Sequence, residues 1–547
     1  MLLKVSVGSD AIVLIYLYPK VVFCVCLAQT QTQPVQGGIV FFTPGNARKN
    51  IAIFDTTLRD GEQTPGVSFT IDQKVEIARQ IAAIGVRTIE AGFPASSADE
   101  LEAVRTIAAA GTGAQVCGLS RMRKDDVDAC IDAGVDMIHV FIPTSDIQRE
   151  HTIRKSRTEV IDATATTVAY AREHFDRCLF SAMDATRTDW PYLIEVCRTA
   201  VEAGATTVNI PDTVGVMTPT VMRDLIARVV REVRAPIDVH CHNDFGLALA
   251  NTLAAVEAGA SQVQVTVNGM GERAGNADLA QTVMALERIY GIETEVITER
   301  LVETSRLVSR YAGISIPPCQ PVVGENAFSH ESGIHSHGVL ERPDTFEPGI
   351  MTPEMVGHRR RLKLGKHAGR HAVRQSLADV HIAPSDAELD RIMEKMKWIA
   401  GRGRRITDAD LYAIAEEVTG MGGVAPAVSL RDIAILTGNH VMPTASVNLT
   451  VNGEEKVACS TGNGPVDAAM KAIIHCLPEP VHLKEFAVES ISGGTDAIGH
   501  VTITVEDATG HIFDASSSSD DVVIASVDAM VNAINLLQRV AEKKPSP

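Results

Sequence analysis

From Ile51 to about Ile292, short β-branched apolar runs alternate with longer stretches in which Ala, Leu and Glu recur at helical spacing. That alternation predicts repeated βα units around a parallel sheet. Eight runs read as strands: Ile51–Phe54, Thr88–Ala91, Gln115–Leu119, Met137–Ile142, Cys178–Ala182, Thr206–Ile210, Ile237–His240 and Gln262–Val267. Eight units in roughly 240 residues match a (β/α)8 TIM barrel, and the Gly-rich first turn of an open doubly wound sheet is missing. The barrel is placed at residues 50–300.

Residues 301–424 read as a helical linker region contributing to the active site. Asp386–Lys397 and Asp408–Thr419 are periodic there, between connections such as Ile316-Pro317-Pro318 and Gly365–Gly369. From about Ala425 two-fold alternation returns. Val447–Val451 leads into Asn452-Gly453, a hairpin signal, and then a strand through Ser460. Val447–Val451 is echoed by Val501–Val505, and Asp467–Ile473 by Asp528–Ile534. Residues 425–547 therefore read as an α+β domain with a duplicated ββα unit, the Ser516–Asp521 loop absorbing the difference in length. A pseudo-twofold interface between such units is a natural seat for a regulatory ligand.

Residues 1–49 carry two apolar runs, Ala11–Tyr18 and Val21–Ala28, split by Pro19-Lys20. Each is about half of the ~20 residues that cross a bilayer, so no transmembrane helix is expected. The segment reads as a disordered or spurious N-terminal extension. A secretory signal is the alternative, because Lys4 precedes the runs and Cys26-Leu27-Ala28 is similar to a cleavage site.

The charge balance, 50 Lys plus Arg against 68 Asp plus Glu, gives −18 and argues against a nucleic-acid partner. Ten scattered cysteines without a CxxC pair point to a reducing, cytoplasmic setting.

The sharpest chemical feature is His240-Cys241-His242-Asn243-Asp244, ending the seventh strand. Residues i and i+2 of a strand share a face, so the two imidazoles converge. Spacing alone is weak, since His335-Ser336-His337 repeats it. Position is stronger: active sites of (β/α)8 barrels lie at the C-terminal strand ends. Arg59 and Asp60 arrive there after strand one, Glu90 ends strand two and His139 lies in strand four. Asp212 and Thr213 follow strand six, and Glu272, Arg273 and Asn276 follow strand eight. A carboxylate, two imidazoles and an amide make a mixed N/O shell for a divalent ion.

Asp55–Gln63, Glu90–Pro94, Asn209–Gly215, His240–Gly246, Asn268–Asn276 and His330–His335, in that order, resemble the 2-isopropylmalate synthase family. This is the Claisen-condensing branch of the metal-dependent barrel lyases and synthases, which also includes citramalate and homocitrate synthases. The resemblance runs from Ile51 to about Leu537, and Gly462–Ala468 and Gly493–Ala497 are similar to the family's allosteric domain.

The resemblance implies a divalent cation (Mn, Mg or Zn) held by Asp60, His240, His242 and, less directly, Asn276. It implies Arg59 as the group facing the oxyanion, with Thr213, Glu90 and His139 on the 2-oxo acid. Glu272 and Arg273 belong to the acetyl-CoA region, and His335 becomes the general acid/base. Gly464, Asp467 and Asp496 are regulatory, the effector is leucine, and the assembly is a homodimer. The implied reaction condenses acetyl-CoA with 2-oxoisovalerate, the committed step of leucine biosynthesis. Phe93-Pro94 and His139–Ile142 favour it over citramalate synthase, and homocitrate synthase is a further alternative.

Three positions depart from the family pattern. Met183, in Ala182-Met183-Asp184-Ala185, stands where a Glu is usual, Phe346 where a Tyr is frequent, and His335-Ser336-His337-Gly338 lacks a carboxylate. Met183 and Phe346 motivate a further alternative, a catalytically impaired amino-acid sensor. Glu90 or Asp184 is the expected substitute for the carboxylate lost at Met183.

Overall fold

The computed structural model describes residues 50–330, 348–362, 369–379, 382–401, 408–419, 427–490, 498–508 and 512–541, the short runs 2–6, 11–18 and 21–28, and positions 338, 342, 345 and 510. The chain divides into two compact units, Met1–Phe328 with Pro348–Arg360, and Ser329–Glu347 with Arg361–Pro547.

In the first unit eight parallel strands close into a barrel. They are β1 (Ala52–Asp55), β2 (Thr88–Gly92), β3 (Gln115–Arg121), β4 (Met137–Pro143), β5 (Cys178–Met183), β6 (Thr207–Asp212), β7 (Ile237–Cys241) and β8 (Gln262–Val265). Closure comes from β8 pairing with β1, Val265 beside Asp55. The helices between strands start where side chains can satisfy free backbone N–H groups. Thr70 with Gln73 caps α1 (Ile71–Ala83), Ser97 caps α2 (Ala98–Ala109), α3 (Lys124–Ala133) follows β3, and Ser156 with Glu159 caps α4 (Arg157–His174). Then come α5 (Trp190–Glu202), α6 (Pro219–Val233), α7 (Ala248–Glu257) and α8 (Leu279–Met284).

Strand residues facing the helices, among them Ile89, Val116, Ile138, Val140, Phe180, Val208, Val239 and Val263, form one continuous core with them. Phe54, Cys117, Met137 and Leu179 form a separate apolar cluster. Barrel interiors are usually filled by branched apolar side chains. Here Glu90, His139, Ser181, Asn209, Asp238, His240 and Gln264 are buried instead and bonded to one another across the strands.

The region read as a linker is shared between the units. Helix α9 (Leu301–Ala312) belongs to the first, where Gln80 Nε2 donates to Thr304 Oγ1 at 2.9 Å and Asn268 Nδ2 to the Ser305 carbonyl at 2.9 Å. Helices α10 (Arg370–Asp379), α11 (Asp386–Ala400) and α12 (Asp408–Thr419) belong to the second.

The duplication in the second unit is present, but each half is βββα rather than the expected ββα. Strands β9 (Val428–Gly438), β10 (Val441–Val451) and β11 (Glu454–Thr461) precede α13 (Pro465–Cys476). Strands β12 (Val481–Ser490), β13 (Gly499–Asp507) and β14 (Ile512–Ser519) precede α14 (Val522–Ala541). Both sheets are antiparallel with the echoed valine strand at the centre. Ser516–Ser519 pair with Gly499–Thr502 and are strand, not loop. Part of the extra length falls between Asp507 and Ile512, against the tighter Val451–Glu454 connection.

Leu2–Ser6, Ala11–Tyr18 and Val21–Ala28 form a three-stranded antiparallel sheet, in place of the expected unstructured extension. Tyr18 pairs with Val21. Eight-residue β-branched runs punctuated by Pro-Lys suit a hairpin better than a disordered tail. Among the described residues, no helix is long and apolar enough to cross a membrane.

Candidate active site

The loop after β1 is fixed by its own side chains. Asp55 accepts from Thr57 N and Thr57 Oγ1, both at 2.9 Å, and Val267 N donates to Thr57 Oγ1 at 2.9 Å. Burial pushes the Asp55 carboxyl up to about 7, against those hydrogen bonds. The anchored loop delivers Arg59 and Asp60 to the C-terminal mouth of the barrel. Arg59 Nη1 donates to Asp60 Oδ2 and Arg59 Nε to Glu90 Oε2, each at 2.6 Å. Thr56 Oγ1 donates to the same Glu90 oxygen at 2.6 Å.

His240 and His242 meet Asp60 as the strand spacing predicts. One ligand atom from each of the three lies within 4.8 Å of the others, and all three residues are buried. His240 Nε2 is 3.5 Å from Asp60 Oδ2 and 3.1 Å from His242 Nε2. Gln264 Oε1, 2.9 Å from His240 Nδ1, can only accept, which puts the imidazole proton on Nδ1 and the lone pair on Nε2. Burial works against ionisation of Asp60, but Arg59 and then His240 hold its carboxyl well below the usual range. Burial, and then His240, pushes His242 down to about 3. An ionised Asp60 carboxylate beside a neutral His242 imidazole is the protonation state a cation requires.

Asn276 stands behind this cluster, its Nδ2 donating to Asp60 Oδ1 and to the Met270 carbonyl, both at 2.9 Å. Asn276 Oδ1 and His242 Nδ1 are buried without a partner among the described residues. Polar atoms left open beside a carboxylate and two imidazoles fit a bound divalent cation and its ligands. Gly271, at φ +153°, permits the close approach, since a Cβ there would collide with Asn276 Nδ2 and sit 2.9 Å from Asp60 Oδ1. Gly271→Ala is therefore expected to weaken Mn2+ binding about 10–100-fold, read by titration of the metal-free protein.

The remaining expected residues divide sharply. Glu90 meets both Arg59 and His139, with His139 Nδ1 2.5 Å from Glu90 Oε1. Burial alone would raise the Glu90 carboxyl, but Arg59, followed by His139, holds it down to about 2. Glu90 thus supplies the carboxylate on Arg59 that Met183 cannot. Asp184, the other expected substitute, is committed to Arg187 and Ser145.

Thr213 Oγ1 accepts from Asp184 N at 2.9 Å, which leaves its own O–H to donate. Arg273 is drawn into a two-bond pair with Asp244 (2.7 and 2.8 Å) and donates to the Thr213 carbonyl at 2.9 Å. Glu272 takes part through its backbone carbonyl, which accepts from Gly275 N at 2.9 Å. Gly464 precedes α13, and Asp467 accepts from Asn463 N and Lys471 Nζ, both at 2.8 Å. His335, Phe346 and Asp496 lie outside the described residues.

Sequence reasoning missed Ser181, Asn209, Asp238 and Gln264, which join the mouth residues from inside the barrel. Asp238 donates nothing but accepts, through Oδ2, from Gln264 Nε2 at 2.6 Å and Asn209 Nδ2 at 2.7 Å. The signal was available, because Asp238 is two residues before His240 on the same strand and shares its face.

A carboxylate and two imidazoles beside a part-buried guanidinium, at the C-terminal mouth of a closed (β/α)8 barrel, define a metal-site barrel enzyme. Residues 50–308 match the HMGL-like family, residues 322–404 the homocitrate synthase post-HMGL domain-like family, and residues 405–538 the LeuA allosteric (dimerisation) domain. The chain is 55% identical to the probable 2-isopropylmalate synthase of Methanosarcina acetivorans, over 92% of this chain and 98% of that one. Two of the relatives come from Methanocaldococcus jannaschii. Its 2-isopropylmalate synthase is 48% identical (91% of this chain, 96% of that one), and its (R)-citramalate synthase is 44% identical (89% and 99%). The chain belongs to the 2-isopropylmalate synthase family of acyltransferases.

Proposed function

We propose that this protein condenses acetyl-CoA with 2-oxoisovalerate. The acetyl methyl carbon bonds to the keto carbon, and water then cleaves the thioester to give 2-isopropylmalate and free CoA. The observation that carries this reading is the convergence of Asp60, His240 and His242 within 4.8 Å beside Arg59. These three side chains hold a divalent cation, with Asn276 orienting Asp60. When bound, the cation supplies Lewis acidity that makes the keto carbon electrophilic. Arg59, fixed by Glu90 and Asp60, places positive charge where the oxyanion develops. Thr213 offers its hydroxyl proton to the substrate carboxylate. His335 is the proposed group that moves the acetyl proton or activates water.

Greater similarity to the relatives named 2-isopropylmalate synthase than to those named citramalate synthase supports the five-carbon oxo acid. The test is CoA release with 2-oxoisovalerate, pyruvate and 2-oxoglutarate in parallel. An apolar pocket discriminates by about 10–200-fold per methylene, so 2-oxoisovalerate is expected to exceed pyruvate in kcat/KM by at least tenfold. Dominant pyruvate turnover would assign citramalate synthesis instead. Turnover with any of the three rules out an inactive amino-acid sensor.

The second unit is proposed to bind leucine and to pair two copies of the chain. Leu436, Met442 and Val457 on one of its sheets, and Phe486 and Val488 on the other, are exposed apolar side chains that suit a homodimer contact. Leucine is expected to lower CoA release. Unchanged activity at saturating leucine would return the effector assignment to isoleucine or to none.

A further inference from the structure

Inside the barrel the buried polar side chains form a hydrogen-bonded circuit that starts at one atom. Asp238 Oδ2 accepts from two amides, Gln264 Nε2 at 2.6 Å and Asn209 Nδ2 at 2.7 Å. An amide whose NH2 is committed to a carboxylate must present its carbonyl oxygen at the other end. Gln264 Oε1 therefore faces His240 Nδ1 at 2.9 Å, and Asn209 Oδ1 accepts the Ser181 hydroxyl proton at 2.8 Å. On the second arm the same Ser181 oxygen stands 2.7 Å from His139 Nε2, and His139 Nδ1 stands 2.5 Å from Glu90 Oε1. Glu90 reaches Arg59, Arg59 reaches Asp60, and the circuit closes on the imidazole pair.

We propose that Asp238 is a positioning residue that sets the direction of this circuit, fixing His240 as the Nδ1–H tautomer so that its Nε2 lone pair is aimed at the cation. Reversing the Gln264 amide would set two oxygens against each other at Asp238 and offer an NH2 to His240 Nδ1. The proton would then move to Nε2, where it blocks ligation. With Oδ2 accepting from both amides, any proton on Asp238 belongs on Oδ1. The proposal rests on the cation-site reading above, and its test separates the two.

The experiment compares Asp238→Leu, which removes the acceptor at similar volume, with Asp238→Asn, whose carbonyl can still accept both amides. Mn2+ is titrated into the metal-free full-length chain, and histidine-selective 15N spectra of the same metal-free samples report the His240 tautomer, assigned by its loss in His240→Ala. The expected result is a 10–100-fold weaker Mn2+ affinity and a mixed-tautomer His240 signal in Asp238→Leu. Asp238→Asn is expected to stay within about threefold of the native chain.

A folded Asp238→Leu chain with native affinity and a native His240 signal overturns the proposal. So does an Asp238→Asn chain as weak as Asp238→Leu, since charge rather than hydrogen-bond direction would then be what matters. Should Asp238→Leu fail to fold, Gln264→Leu cuts the same arm and carries the same expectation. If the native chain binds no Mn2+, the cation reading falls, while the metal-free spectrum still decides the tautomer.

Discussion

Replacing His240 and His242 together by alanine is expected to abolish Mn2+ binding and to lower CoA release by at least ~10³-fold, with the barrel still folded. Both imidazoles come from one end of β7, and Asp60 is the only other His, Cys, Asp or Glu grouped with them among the described residues. Without them Asp60 keeps Arg59 and Asn276, and a carboxylate already neutralised by a guanidinium at 2.6 Å offers little to a cation on its own. The structural cost is limited. The alanines leave Gln264 Oε1 without its donor, about 1–3 kcal/mol, against a core that runs around the whole barrel. Circular dichroism checks the fold, metal titration the site and thiol release the reaction. A folded double variant that still binds the ion and consumes the thioester would falsify the site assignment.

The barrel was legible because eight β-branched runs recur between helical stretches and several lead directly into polar residues at the same rim, among them Asp55, Asp212 and His242, so strand count and site position reinforce each other. The last strand is shorter than its apolar pattern, ending at Val265. Residues Val267–Gly269 turn into a short helical segment with Asn268 at φ +61°. In the second unit β9 and β12 were illegible for a local reason. Each has a break in register, at Leu430/Asp432 and at Leu483/Glu485, and a one-residue slip destroys the two-fold alternation by which a strand is recognised. Ser516–Ser519 read as a loop from the sequence, whereas pairing with β13 makes them strand.

The circuit below the metal ligands was hidden for another reason. Ser181, Asn209, Asp238 and Gln264 read singly as polar punctuation in strands, and only closure of the sheet turns their faces toward one another. What periodicity could state was the face; what it could not state was which residues on eight faces meet.

Arg59→Lys is expected to lower kcat about 10²–10³-fold while Mn2+ affinity changes little. The guanidinium is held from two sides, Nε on Glu90 and Nη1 on Asp60, each at 2.6 Å, with 13% of its side chain exposed. Burial alone would weaken its charge, but Glu90 and then Asp60 keep it protonated. A lysine ammonium is one point donor and cannot span both carboxylates while also facing a developing oxyanion. Losing one fixed donor at such a position costs ~3 kcal/mol of transition-state stabilisation, the origin of the expected factor. Asp60 keeps Asn276 and the two imidazoles, which is why the ion should stay. Glu90→Gln, which keeps the shape and removes the charge, should give a smaller loss of about tenfold, since Asp60 still anchors one edge of the guanidinium. Steady-state kcat measured beside Mn2+ titration separates these effects. Native kcat in Arg59→Lys would remove Arg59 from the reaction and leave it a structural ion pair.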